Sequence, residues 1–270
     1  MNSTKITTGI DMKGTLRGSD LGPLVVGPTE GESTVNSPKH LARIAGVLYL
    51  LVGIFGGFAE GYVEPKMYVV GNAAATAGNV VANSGLVRVG VVADLVDGTV
   101  FAFLAMTLYI LLKHVHKSAA RTMLVLVALA AGITCLSAVF EFEGLRVATG
   151  AVNLAAFGAG GSNALVLLLL DTQHYGLLVA QIFFGLWLVP LGYLAYKSGM
   201  FPRALGVLLA IGGACYLVDM LAAFLVPDLG TAIHGYITIP SAIAEISMVG
   251  YLLVIGVRTK KSDDRILAAA

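Results

Sequence analysis

Charge is what this 270-residue sequence has least of: Asp, Glu, Lys and Arg together make up 12% of it, about half the roughly 25% of a soluble domain. So few charges cannot cover the surface of a soluble fold in which 57% of the residues are hydrophobic. With a mean hydropathy of +0.85, the chain reads as an all-α, polytopic membrane protein with the lipid bilayer as its first partner. Cysteine is also scarce. Cys135 and Cys215 both sit in apolar runs, which excludes a disulfide framework and a cysteine-rich zinc site. No HExxH, CxxC or serine-nucleophile motif occurs. The glycine-rich GAGGS at 158–162 is followed by no Lys-Ser/Thr, so it is not a phosphate loop. No cofactor is expected. The basic residues fit a membrane topology without calling for nucleic acid.

Three domains are expected. Residues 1–38 carry Thr, Gly, Ser and Pro without apolar periodicity and read as a disordered cytoplasmic tail; no apolar run follows Lys5, so they are not a secretory signal. Residues 39–258 form the transmembrane domain, and 259–270 a short cytoplasmic C-terminal tail. Six stretches, near 41–60, 88–112, 121–141, 174–196, 204–226 and 236–257, approach or exceed the roughly 20 apolar residues that cross a hydrocarbon core. The plan is a six-helix bundle of three outward-opening hairpins. Fourteen of the 17 Lys and Arg residues fall on the side of the termini and the short links, leaving only Lys66, Arg88 and Arg146 opposite. By the positive-inside rule both termini are cytoplasmic, in a multi-pass protein of the cell inner (plasma) membrane. An odd number of spans would destroy this segregation.

The two long outer links are expected to carry amphipathic segments. In 68–84, Asn72, Thr76, Asn79 and Asn83 recur as one polar helical stripe, suited to a helix lying in the interface. Residues 143–172 read as two short helices broken at GAGGS, forming either a surface cap or a re-entrant pair covered by protein.

Ionisable residues inside spans are expensive and usually face a cavity or a partner. Asp94 and Asp97 lie three residues apart on one face of the second span. Asp219 in the fifth span and Glu245 in the sixth lie at similar depth. These four are the candidate catalytic residues. Glu60, Arg88, Glu141 and Gln181 are candidate ligand contacts, with Arg88 as the counter-ion for the acids. Ten acidic residues stand against three basic ones in this outer portion. Asp171 and His174 are a weak metal candidate at a spacing seen in carboxylate-bridged sites, with Asp171 as a helix cap the alternative. His234 reads as interfacial. Gly53, Gly57 and Gly61 form a small-residue stripe suited to packing within the chain or to a homodimer seam.

Residues 42–60 (ARIAGVLYLLVGIFGGFAE) and 183–219, with the turn Lys197-Ser198-Gly199-Met200-Phe201-Pro202-Arg203 as the most specific element, resemble the bacterial membrane family catalogued as domain of unknown function 4386. Gly71 to Ala77 and Arg88 to Asp94 add to the likeness, which covers about residues 40–257. The resemblance implies a six-helix bacterial inner-membrane protein and carries no activity with it. Three functions fit the residues. The first is a pocket that binds or moves a small cationic or lipophilic ligand. The second is a membrane-embedded acid–base isomerase or cyclase acting on an isoprenoid-like lipid. The third is a structural or regulatory membrane partner.

Overall fold

The computed structural model describes residues 37–258; the expected tails at 1–36 and 259–270 lie outside the described residues. The chain is all-helical, with no strand among the described residues. Six helical spans are long and apolar enough to cross a membrane: Pro38–Met67, Ser84–Leu112, Lys117–Ala148, Gly158–Ser198, Arg203–Leu225 and Pro227–Val254. The first consists of α1 (Pro38–Phe58), a π-helical turn (Ala59–Val63) and α2 (Glu64–Met67). Next come α3 (Ala73–Ala82), α4 (Ser84–Leu112), α5 (Lys117–Ala148), α6 (Gly158–Ser198) and α7 (Arg203–Leu225). The last span is split into α8 (Pro227–Ile237) and α9 (Ile239–Val254).

Local chemistry sets the ends. Ser37 accepts from the His40 amide at 3.2 Å, and Pro38 supplies the first helical position of α1. His116 Nδ1 accepts from the Ala119 amide and starts α5. Gly199, at φ +67°, ends α6 in the left-handed conformation that favours glycine.

The spans pack in sequential order, α1 on α4, α4 on α5, α5 on α6, α6 on α7 and α7 on α9, and α9 closes the ring on α1. One apolar cluster fills the ring around Leu104, Leu108, Met123, Leu191, Leu209 and Leu252. A second, around Val63, Met67, Val80, Leu145 and Leu170, joins α2 and α3 to α5 and α6. Large apolar side chains such as Ile54, Val92, Phe103 and Ile246 point outward, whereas Asp94, Asp97, Glu141, Gln173 and Asp219 are buried. That inverted pattern is what lipid surroundings select. Contact between α6 and α7 is backbone to backbone: a Cβ at Gly192 would stand 2.5 Å from the Gly206 carbonyl oxygen, and one at Gly213 equally close to that of Gly185.

Several local expectations give way. Residues 143–172 are not two short helices. α5 runs on to Ala148, and GAGGS opens the 41-residue α6 instead of breaking a helix: Gly158, at φ +65°, stands at the helix boundary in the left-handed conformation that favours glycine. Asp171 therefore lies well inside α6 and caps nothing. The stripe on α3 does not simply face water: Thr76 is fully buried and bonds the Val69 backbone, while Asn72 and Asn83 act at the helix ends. Gly53, Gly57 and Gly61 do not pack within the chain, since no atom lies within 4 Å of a Cβ placed on any of them.

Candidate functional site

A cavity of about 320 Å³ lies inside the ring. α1 and its π turn contribute Val52, Gly56 and Glu60, and Glu64 follows at the start of α2. A π turn inserts an extra residue into the helical repeat. Here Glu60 and Glu64 both end up lining the cavity. α4 provides Asp97 and Phe101, α6 provides His174, Gln181, Phe184 and Trp187, and α7, α8 and α9 provide Tyr216, His234 and Glu245.

The inner wall is aromatic. Phe101 meets the Trp187 indole edge-on at 5.1 Å between centroids and Phe184 at 5.7 Å; Tyr49 lies 5.5 Å from the same indole. Glu245 is held from two sides, with Tyr49 Oη donating to Oε2 and Tyr216 Oη to Oε1, both at 2.9 Å. Opposite, the Asp97 carboxyl stands against Gly56. Two lining histidines each face a carboxylate: His174 Nδ1 with Glu64 Oε1 at 2.6 Å, and His234 Nδ1 with Asp219 Oδ2, behind the lining, at 3.0 Å. Among the described residues, no Lys or Arg lines the cavity.

Of the four acids singled out in the spans, Asp97 and Glu245 line this cavity. Asp219 is buried behind it, taking a hydrogen bond from Gln181 Nε2 at 2.7 Å as well as contacting His234. Asp94 turns toward α5, where its carboxyl faces that of Glu141. Asp94 Oδ1, Asp97 Oδ1 and Glu141 Oε1 have no hydrogen-bond partner, nor have Thr134 Oγ1 on α5 and Gln173 Oε1 on α6. All five of these buried atoms are oxygens. Glu60 and Gln181 line the cavity as ligand contacts would. Arg88 does not serve as counter-ion: it is exposed and in no ion pair among the described residues.

Asp171 and His174 do not form a metal pair. Asp171 accepts from the Tyr68 hydroxyl, His174 turns to Glu64, and no cluster of three metal-ligating side chains exists among the described residues. Burial and the neighbouring Asp171 carboxylate push the Tyr68 phenol above its ordinary range, so it remains a donor that ties the link between α2 and α3 to α6. His234, expected at the interface, contacts Asp219 because α8 folds back over α7. The aromatic residues and Glu64 were not singled out as site residues. The one signal for them is Trp187: it is the only tryptophan and lies well inside a span, whereas membrane tryptophans concentrate at interfaces.

Residues 44–256 match the family described as Domain of unknown function (DUF4386), and the chain belongs to that family. An uncharacterized protein of Archaeoglobus fulgidus is 44% identical over 54 residues, which cover 20% of this chain and 33% of that protein. The match thus spans about a third of the relative's length. No solved structure matches the chain.

Proposed function

We propose that this membrane protein binds a small organic cation in the cavity inside its ring, as a binding or transport module for such a ligand. The observation that carries this reading is the lining itself: Glu60, Glu64, Asp97 and Glu245 with aromatic walls and no Lys or Arg. Carboxylates attract a cation over distance, and aromatic faces hold one by cation–π attraction, worth about 2 kcal/mol or more when desolvated. Glu64 faces His174 and Glu245 is held by two tyrosines, so the unengaged lining acids are Glu60 and Asp97. Trp187 makes the test direct. Tetramethylammonium titrated into the purified protein should quench its single-tryptophan emission saturably, and tetramethylsilane-like neutral solutes of the same shape should not. Quenching that never saturates, or that ignores charge, would remove the reading.

The acid–base enzyme acting on an isoprenoid-like lipid is the second reading, favoured by the two histidine–carboxylate pairs, which have the geometry of general acid–base groups. Product formation from isoprenoid alcohols, pyrophosphates or epoxides, lost in His174→Gln, would move the assignment to it.

The proposal places both termini in the cytoplasm and the protein in the inner membrane. The turn 113–116, the turn 199–202 and Arg258 sit at the end of the ring where α1 begins: His116 packs on Tyr193, Arg258 bonds Met200 and Gly256 lies against Lys39. Basic residues dominate that end. In a protein with Cys135 and Cys215 replaced, a cysteine at exposed Gly78 should react with an impermeant thiol reagent in intact cells, and one at His114 only after lysis. The reverse pattern would invert the topology.

A further inference from the structure

The cavity has a neighbour that bears on what kind of cation it takes, an inference that rests on the cation reading above. An apolar groove of about 300 Å³ runs between α1 and α9, walled by Leu50, Gly53 and Ile54 on one side and Ile246 and Val249 on the other. Val52 and Glu245 border both the groove and the cavity. Tyr49, which lines the groove, and Tyr216, which lines the cavity, hold the two oxygens of the same carboxylate. Leu50, Ile54 and Ile246 are 43%, 52% and 71% exposed, and in a membrane-spanning ring such surfaces meet lipid. A carboxyl at the floor of a lipid-facing groove is expensive, and a cationic head arriving from the bilayer would favour its charged form.

We propose that the ligand is a single-tailed amphiphilic cation taken from the membrane, its head against Glu245 and Asp97 in the cavity and its alkyl chain in the α1–α9 groove. This arrangement leaves each part of the ligand in surroundings that match it: the head among carboxylates and aromatic faces, the tail among aliphatic side chains. It also gives the glycine at 53 a purpose. No atom lies within 4 Å of a Cβ placed there, so a larger side chain occupies groove space without straining the fold.

The test compares tetramethylammonium with octyltrimethylammonium in the wild type and in Gly53→Phe, both in nanodiscs of neutral lipid, read by Trp187 emission. Each buried methylene strengthens binding by about fourfold, so four of them predict a wild-type preference for the tailed cation of at least about 100-fold. Gly53→Phe should reduce that preference to about tenfold or less and leave tetramethylammonium affinity unchanged. Tail partitioning into the bilayer is the same for both proteins and cancels. Tetramethylammonium binding with no gain from the tail overturns the amphiphile and leaves the cation reading standing. An equal gain in both proteins also overturns it. So does a wild-type dimer that Gly53→Phe dissociates while the gain persists, which would make the groove a seam between copies. Binding of neither cation removes the cation reading itself.

Discussion

Gly213→Val should be strongly destabilising, lowering stability by more than about 3 kcal/mol. Overpacking usually costs about 1–3 kcal/mol because side chains can shift out of the way. Here the first atom met is the Gly185 carbonyl oxygen, 2.5 Å from the new Cβ, with Leu188 Cβ at 3.3 Å. A backbone oxygen held inside a helix cannot rotate away, so α6 and α7 have to separate. Their separation stretches the 2.7 Å bond from Gln181 to Asp219 and displaces Tyr216 from α6, so the site should loosen with the fold. Gly192→Val, facing the Gly206 carbonyl two turns further along α6, should behave alike. Gly57→Val is the control, since its Cβ meets nothing within 4 Å. The measurement is thermal unfolding in detergent, with Trp187 emission as a second probe because it lies on α6. A Gly213→Val protein that melts with the wild type would mean that the two helices are not in backbone contact.

That contrast among glycines also marks the limit of reading the fold from the chain alone. Six spans were legible because apolar runs of membrane length are a composition signal, and each expected run overlaps an observed helix. Helix ends were less legible. α6 begins at Gly158 and not near residue 174: the break that GAGGS suggests falls at Gly158 itself, at φ +65°, and the acid at 171 lies inside the helix. The last span divides at Thr238, where Pro240 lies in the first turn of α9 and has no amide hydrogen to continue the ladder. The glycine stripe at 53, 57 and 61 has the spacing of a packing face, yet Gly185, Gly192, Gly206 and Gly213 do that work. Spacing on one helix says nothing about whether a neighbour presents a matching stripe.

The site was legible only as expense. A carboxyl inside an apolar run is conspicuous, and Asp97 and Glu245 were found that way and line the cavity. Which way a buried acid turns was not readable. Asp94 shares a helix face with Asp97, yet Glu141 on α5 draws its carboxyl aside. Charge pairing was misread for the same reason: Arg88 is the nearest cation in sequence to the acids of α4, but it is exposed, while histidines from α6 and α8 approach Glu64 and Asp219. Phe101, Phe184, Trp187 and Tyr216 were invisible as site residues, because aromatic side chains in a span are ordinary until their rings are seen around one space.

Glu245→Gln and Asp97→Asn should each weaken tetramethylammonium binding by about 10- to 100-fold, the effect of losing one charged contact worth about 1.5–3 kcal/mol. The exchanges keep shape and remove charge, which separates binding from packing. In Glu245→Gln, the amide oxygen still accepts from one tyrosine and the amide nitrogen can donate to the other, once that hydroxyl rotates, so the α1–α9 and α7–α9 ties through Tyr49 and Tyr216 survive. Asp97→Asn replaces an oxygen that has no hydrogen-bond partner, so little structural bonding is lost. Both proteins should therefore melt near the wild type while their affinities fall. If the acids only tie helices together, as in a structural or regulatory membrane partner, the opposite pattern follows: stability falls and any cation response is unchanged. Tyr49→Phe sharpens the comparison. It removes one donor from Glu245 without touching the charge, so it should leave a more weakly held carboxylate facing the cavity and keep affinity within a few-fold of wild type. The double variant Asp97→Asn with Glu245→Gln should then lose more than either single variant but less than the product of the two effects, because both carboxyls act on the same bound cation. A double variant that binds tetramethylammonium as the wild type does would sink the cation site, whatever became of its stability.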